Sequence, residues 1–151
     1  MVNEALNMAS LQPQYGEIWI VFDRDQVKGF DQIISLAKEK GIKVGWSNPC
    51  IEIWFNAYFG KMPAYQDSVS CCKGFEEKYH NITKQCYRKS DADIYSKLCQ
   101  FGDEKQAFAI AKCKYKEQKR TYKNVPSKMC PATAVSHLVE EIKTKIEKNK
   151  K

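Results

Sequence analysis

The chain has 151 residues, the usual size of one domain, and 28% of them are charged, with both signs interspersed along most of its length. This composition excludes a disordered chain, and since no run of about 18 apolar residues occurs, no membrane-spanning helix or membrane partner is predicted. The polar N-terminus lacks the pattern of a signal peptide. Seven cysteines, an odd number without a secretion signal, predict reduced thiols in a cytoplasmic protein.

The net charge of +7 favours partners that carry phosphate, and much of the excess lies in one segment. The basic residues of this segment are Lys112, Lys114, Lys116, Lys119, Arg120, Lys123 and Lys128. The segment contains a single acid, Glu117, and Tyr115 and Tyr122 lie between the basic residues. Basic residues interleaved with aromatic ones are typical of nucleic-acid-binding surfaces. A solvated helix face is the structural alternative.

A strand, a helix and a second strand are predicted in the first third of the chain. Residues 17–22 form a short apolar run of β-branched and aromatic residues, typical of a strand buried on both faces. Residues 30–40 have apolar residues at helical spacing, and Gly41 is a natural stop. Residues 42–46 read as another strand. The resulting βαβ unit predicts a parallel pair of strands.

A buried helix is predicted at residues 49–59, directly after this unit. Asn48 is a suitable N-cap and Pro49 suits the first helical position. The helix is apolar nearly all round, which indicates burial. Only Glu52 and Asn56 interrupt it, and since they are four residues apart they share one face.

The rest of the chain is predicted to be mainly helical. The predicted helices span residues 67–79, 91–99 and 103–122, and a last helix begins at Pro131. The fold class is therefore α/β, with a Rossmann-like parallel sheet at the front and a mainly helical C-terminal half. Residues 1–16 are predicted to be a polar leader, and residues 17–149 a single domain.

Three carboxylates are the strongest candidates for a site. Asp23 and Asp25 directly follow the first strand, and ligands of open α/β sheets bind beyond the carboxyl ends of strands. Because Asp23 and Asp25 are two residues apart in a segment expected to be extended, their side chains should point to the same side. Glu52 lies in the first turn of the helix after the adjacent strand, where an unpaired charge would be costly. Such oxygen ligands suit Mg²⁺ or Mn²⁺. The structural alternative pairs Glu52 with Arg24 or a lysine.

The cysteines and histidines do not predict a second centre. Cys71, Cys72, His80 and Cys86 include donors that zinc prefers, but adjacent cysteines lack the usual spacing of zinc ligands. Cys50, Cys99 and Cys113 are predicted to be core thiols of helices. His137 is predicted to be an ordinary surface or boundary residue.

Four segments, taken in order, resemble the RloB-like family. These are residues 18–25 (Ile-Trp-Ile-Val-Phe-Asp-Arg-Asp), 47–55 (Ser-Asn-Pro-Cys-Ile-Glu-Ile-Trp-Phe), 87–95 and 131–139. The resemblance implies a toprim-type fold, in which an Asp-x-Asp and a Glu hold Mg²⁺ for phosphodiester chemistry on nucleic acid. It assigns Asp23, Asp25 and Glu52 to the metal, with Ser47 and Asn48 facing the same site. It also implies a role in bacterial restriction or abortive infection that limits phage.

The chain departs from the family pattern at its front. Members usually begin with a strand ending in a Cys-Glu-Gly-type segment that supplies the first toprim Glu, and residues 1–16 hold no such strand. Tyr58 stands where members commonly have a histidine-containing segment, and Cys130 replaces an Asn. The resemblance therefore implies weakened catalysis and an open sheet edge that favours pairing with another chain.

Three functions follow from these observations. The first is a Mg²⁺- or Mn²⁺-dependent nuclease, or the remnant of one, acting in phage defence. The second is a non-catalytic module that binds nucleic acid or a partner protein. The third is a structural subunit that forms homo-oligomers through the open edge and the apolar stripe of the last helix. DNA and RNA are equally compatible with the sequence.

Overall fold

A three-stranded sheet organises the computed structural model, which describes residues 1–14 and 16–150. Strands β1 (Trp19–Asp23), β2 (Lys43–Asn48) and β3 (Ala132–Thr133) lie in that order. β1 and β2 are parallel, in a register that sets Asp23 beside Ser47, and β3 is antiparallel to β2. The predicted parallel pair is confirmed, and the chain is a mixed α/β protein.

Helix α2 (Phe30–Glu39) connects the two parallel strands and covers one face of the sheet. Its C-terminal end precedes Gly41, which has the positive φ of +71° that a glycine accommodates without strain. The ring of Phe30 lies edge-on to Phe22 of β1 at 5.4 Å and to Trp46 of β2 at 5.8 Å. These aromatic contacts fix the helix against both strands, as the predicted βαβ unit requires.

The segment predicted to be a polar leader contains a helix, α1 (Val2–Leu11). Val2, Ala5 and Leu6 follow helical spacing, and they pack against the same core as β1 and α2. The prediction was wrong because the short apolar stripe is diluted by polar residues on the other face. The described residues before β1 hold no strand, as expected, and Tyr15 lies outside the described part of the chain.

Five further helices form a second layer. They are α3 (Glu52–Ala57), α4 (Ser68–Thr83), α5 (Ile94–Phe101), α6 (Glu104–Thr121) and α7 (Val135–Asn149). The helices predicted after the βαβ unit are all present, with ends shifted by a few residues. Buried side chains of α3, α4, α5 and α6 form one hydrophobic core cluster, while α7 packs on β2. This layer holds the short helix α3 between the sheet and the other helices.

Two proline-containing segments differ from their predictions. The Asn48–Pro49 and Cys130–Pro131 peptides are both cis. Helix α3 begins at Glu52 rather than at Pro49, because the Asn48 side chain donates to the carbonyls of a short 3-10 helix (Pro126–Lys128) instead of capping.

The segment after Pro131, predicted to start the last helix, first forms β3. The Ala134 N–H donates to the Trp46 carbonyl at 2.7 Å, so pairing with β2 replaces the first helical turn. Helix α7 therefore begins at Val135.

Two predicted core thiols are exposed. Cys50 is 1% exposed, but Cys99 and Cys113 lie on the surface of their helices, because their positions fall outside the buried stripes of α5 and α6. His137 is exposed, as predicted. No helix in the described ranges combines the length and apolarity needed to cross a membrane.

Candidate functional site

Asp23 ends β1 and lies partly buried at the carboxyl edge of the parallel strands. Burial raises the pKa of its carboxyl from 3.8 to about 6, with smaller contributions from the negative charges of Glu52 and Asp25. A backbone hydrogen bond from Ile51 and the charge of Lys89 oppose this rise. The strand thus holds a carboxylate that is ionised at neutral pH at a considerable energetic cost.

Asp25 lies two residues after Asp23, and its placement differs from the prediction. The chain does not stay extended after β1 but enters a 3-10 helix (Arg24–Gln26), so the two aspartates do not project from a common strand face. Asp25 is exposed and lines a cleft of about 340 Å³. Asn48, Asp67 and Ser127 are among the other residues of this cleft.

Glu52 is the first residue of α3 and is completely buried. Its Oε1 accepts a hydrogen bond from the Tyr87 hydroxyl at 3.0 Å and lies 3.5 Å from Nζ of Lys89. Burial opposes ionisation, but hydrogen bonds from Cys50 and Tyr87 and the charge of Lys89 outweigh it and lower the pKa of Glu52. Its other oxygen, Oε2, has no hydrogen-bond partner among the described residues.

Two thiols complete the surroundings of Glu52. The Sγ atoms of Cys50 and Cys72 are 3.9 Å apart, and with a carboxylate oxygen of Glu52 they form a group within 4.8 Å. In the described part of the chain this is the one set of three candidate metal-ligating groups that close together. Asp23 is an electrostatic neighbour of both Glu52 and Asp25, but neither aspartate belongs to this set.

The three predicted polar site-lining residues have separate positions. Ser47 is buried and shares a 2.9 Å hydrogen bond with the Thr133 hydroxyl. Asn48 reaches the cleft beside Asp25. Asn56 donates to the backbone carbonyl of Glu52 at 3.0 Å, so it supports the first turn of α3 rather than contacting a carboxylate.

Sequence reasoning missed the partners of Glu52, although it anticipated their type. A lysine, Lys89, takes the role of the ion-pair partner, while Arg24 instead lies over the Phe30 ring at 5.7 Å. Tyr87 and Lys89 come from the segment between α4 and α5, about 35 residues after Glu52. They belong to one of the four segments that carried the family resemblance, which was the only available signal.

The predicted basic segment forms an exposed stripe on α6. Lys112, Lys116, Lys119 and Arg120 are spaced by four, seven and eight residues and so share one exposed helix face. Lys123 follows just beyond the helix end. Within residues 1–14 and 16–150, no carboxylate forms an ion pair with these five residues. Lys114 faces another direction and pairs with Glu117 at 3.0 Å.

Comparisons with known proteins identify the family. The sequence model described as RloB-like protein matches residues 1–142, a range that includes α1 and every residue of the acidic site and the basic stripe. No curated protein and no solved structure matches the chain. The match covers nearly the whole chain, and the chain therefore belongs to the RloB-like family.

Proposed function

We propose that this chain is a metal-dependent nucleic-acid phosphodiesterase with a toprim-like, Rossmann-like site, acting in bacterial phage defence. The observation that carries the proposal is the position of Asp23, partly buried at the carboxyl edge of the parallel strands with Glu52 and Asp25 as charged neighbours. The burial that raises the pKa of Asp23 to about 6 supports it. Clustered carboxylates with perturbed pKa values occur preferentially at functional sites. A divalent cation would relieve their repulsion, and the carboxyl edge of parallel strands is where α/β proteins bind ligands.

The donor set fits Mg²⁺ or Mn²⁺ in its chemistry. Asp23 and Asp25 offer hard carboxylate oxygens, and the negative charge of Glu52 near Asp23 adds to the attraction for a cation. Asp25 opens onto the cleft, which gives substrate and water access to the site. In this proposal Asp23 and Asp25 hold the metal, and Glu52 contributes negative charge from the adjacent helix.

In this proposal the acidic residues would bind the metal, and the basic residues of α6 would bind the nucleic acid. When bound, the metal would supply Lewis-acid polarisation of a phosphodiester and a bound water of lowered pKa. Asp23 is ionised above a pH of about 6, so its oxygens accept a cation at neutral pH. Hydrogen bonds from the Cys50 thiol, from the backbone and from the Tyr87 hydroxyl, together with the charge of Lys89, lower the pKa of Glu52 and keep it ionised inside the protein. The stripe on α6 would hold the phosphate backbone without reading the sequence.

Loss of the exposed carboxylate tests this proposal. In Asp25→Ala we expect Mn²⁺ affinity and metal-dependent cleavage of single-stranded or duplex nucleic acid to fall at least about 100-fold, because a ligand contributes more than the 10–100-fold of an outer-shell group. Calorimetry measures binding, and a labelled oligonucleotide assay measures cleavage.

Glu39→Gln is the matched control, since it removes an exposed carboxylate at the far end of α2. It should leave both quantities unchanged. Cleavage that persists in EDTA, or equal Mn²⁺ binding by wild type and Asp25→Ala, contradicts the proposal.

A second candidate function is nucleic-acid binding without catalysis. The basic stripe on α6 favours it, because four exposed cations share one helix face and Lys123 follows just beyond the helix. None of the five forms an ion pair within the described residues. The ion pair of Lys89 with Glu52 also favours it, since a lysine already compensates part of the acidic site. In this reading the chain contacts phosphates and does not hydrolyse them.

The salt dependence of nucleic-acid binding shows whether the stripe itself contacts phosphates or whether binding depends only on the net positive charge of the chain. The double variant Lys116→Gln/Arg120→Gln should lower the slope of log affinity against log salt by about 1.4 to 1.8, because each lost phosphate contact contributes about 0.7 to 0.9. Lys38→Gln/Lys40→Gln removes the same charge from exposed positions on and just after α2. Equal slopes for the two double variants would rule out the stripe as the binding surface.

A further inference from the structure

The buried group of Cys50, Glu52 and Cys72 has the spacing of a metal centre. Four ligands around tetrahedral Zn²⁺ with Zn–S bonds of about 2.3 Å place two sulfur atoms about 3.8 Å apart. The Sγ atoms of Cys50 and Cys72 are separated by 3.9 Å. A disulfide would instead bring them to about 2.05 Å. The two thiols therefore already stand at the separation that a shared tetrahedral ion demands.

The carboxylate of Glu52 has one oxygen in use and one available. Tyr87 and Lys89 both approach Oε1, whereas Oε2 is buried and finds no hydrogen-bond partner in the described part of the chain. A buried carboxylate oxygen without a hydrogen bond is costly, so its position calls for a ligand. Hydrogen bonds to the oxygen that does not bind the metal are the outer-shell support that metal-ligating carboxylates commonly have.

The charges of the group balance with a divalent cation. Two thiolates, one carboxylate and one divalent ion leave a net charge of −1, and the ammonium of Lys89 beside Glu52 neutralises it. Without an ion, thiols with the ordinary pKa of about 8.5 are mostly protonated and neutral at pH 7. Burying a neutral ensemble is far less costly than burying a charged one.

We propose that Cys50, Glu52 and Cys72 bind a thiophilic divalent cation of the Zn²⁺ class, with a fourth position open to water or another ligand. Thiolate sulfur selects Zn²⁺ over Mg²⁺ and Mn²⁺, which prefer oxygen. Cys72 is partly exposed, so the ion has a route from solvent. The ion ties the start of α3 to the N-terminal part of α4, because the three ligands come from the segment before α3, from α3 and from α4.

Binding follows a defined proton balance. Zn²⁺ forms one bond to each sulfur, and each thiol loses its proton to the buffer, so two protons leave for each ion bound. A glutamate carboxyl with the ordinary pKa of about 4.3 is already ionised at pH 7, so Glu52 contributes none. No electron is transferred, and neither sulfur is oxidised.

Cobalt substitution in the full reduced chain tests the site. Co²⁺ titrated in the presence of a phosphine reductant should give a thiolate-to-cobalt charge-transfer band that saturates at one equivalent and is abolished by Zn²⁺. Calorimetry of Zn²⁺ in buffers of different ionisation enthalpy should give about two protons released per ion. Absence of the band in the wild type, or a proton release near zero, overturns the proposal.

Variants identify the ligands. Cys72→Ser and Cys50→Ser should each weaken Co²⁺ affinity at least about 100-fold. Cys72 is partly exposed, so Cys72→Ser still tests the site if Cys50→Ser fails to fold. Cys71→Ala, next to Cys72 but outside the ligand set, should keep the band, as should a variant lacking the exposed thiols of Cys86, Cys99 and Cys113. Loss of the band in that surface variant, or its survival in both serine variants, contradicts the assignment.

This inference does not rest on the proposed phosphodiesterase, although both involve Glu52. Asp25→Ala removes a hard oxygen ligand and should leave the cobalt band unchanged, whereas Cys72→Ser should leave Mn²⁺ affinity within about twofold. Each variant therefore tests one proposal, and either proposal can fail while the other holds. Loss of the cobalt band in Asp25→Ala would show that Asp25 belongs to the cobalt site as well. That result would overturn the proposal of a separate thiolate centre.

Discussion

Asp23→Asn is expected to stabilise the folded protein by up to about 3 kcal/mol at pH 8 while abolishing Mn²⁺ binding. The reason is the raised pKa of Asp23, from 3.8 to about 6, which means that folding holds an ionised carboxylate in an environment that disfavours it. Each pKa unit corresponds to about 1.4 kcal/mol, so a shift of about two units gives the upper bound. The asparagine oxygen can still accept the backbone hydrogen bond from Ile51.

The sign of the pH dependence follows from proton binding. Between pH of about 4 and 6 the native state binds the proton at Asp23 and the unfolded state releases it, so this carboxyl's contribution falls as pH rises. The stability advantage of Asp23→Asn should therefore grow from near zero at pH 4 to its full value above pH 6. Metal binding by the wild type should increase over the same window, because the cation competes with that proton.

Urea denaturation at pH 4, 6 and 8 measures the difference, with Glu39→Gln as a control that should stay within about 0.5 kcal/mol of wild type. Added Mn²⁺ at about 100 times its dissociation constant should stabilise the wild type by about 2.7 kcal/mol and leave Asp23→Asn unchanged. A variant less stable than wild type at pH 8 would show that Asp23 is a structural residue. A more stable variant would fit a site that gives up stability for binding.

The parts of the fold that could be predicted are those with a local cause. The run ending at Phe22 and the apolar spacing after Phe30 each encode one element, and the parallel pair follows from their order. Strand β3 could not be predicted, because Ala132 and Thr133 carry no strand signal of their own. They pair because Trp46 and Ser47 offer a carbonyl and a hydroxyl across the sheet.

The candidate site was likewise predictable only where its features have a local cause in the sequence. The position of Glu52 at the sheet edge follows from its place in the first turn after a strand, and the structure puts it there. Its partners come from contacts between segments distant in the chain, and no spacing rule connects Cys50 with Cys72 or Glu52 with Lys89. The 3-10 turn at Arg24 likewise depends on packing, so the shared direction of Asp23 and Asp25 was not predictable.

The aromatic cluster behind the site supports Glu52 through Tyr87. Phe75 of α4 is completely buried, and its ring centroid lies 4.8 Å from that of Tyr87 in an edge-to-face arrangement. The Tyr87 hydroxyl in turn donates to Glu52. Other rings in contact with Phe75 are those of Phe55, Phe59 and Tyr79. Stability and the geometry of the site therefore share one buried side chain.

Phe75→Ala is expected to lower the free energy of unfolding by about 3–5 kcal/mol, because it leaves a cavity among rings that cannot collapse onto it. Thermal unfolding should shift down by roughly 10 °C for a chain of this size. Val69→Ala, on the same helix but 77% exposed, should change stability by less than about 0.5 kcal/mol. Equal stability of the two variants would show that the contacts of Phe75 do not stabilise α4, because alanine does not lower helix propensity at either position.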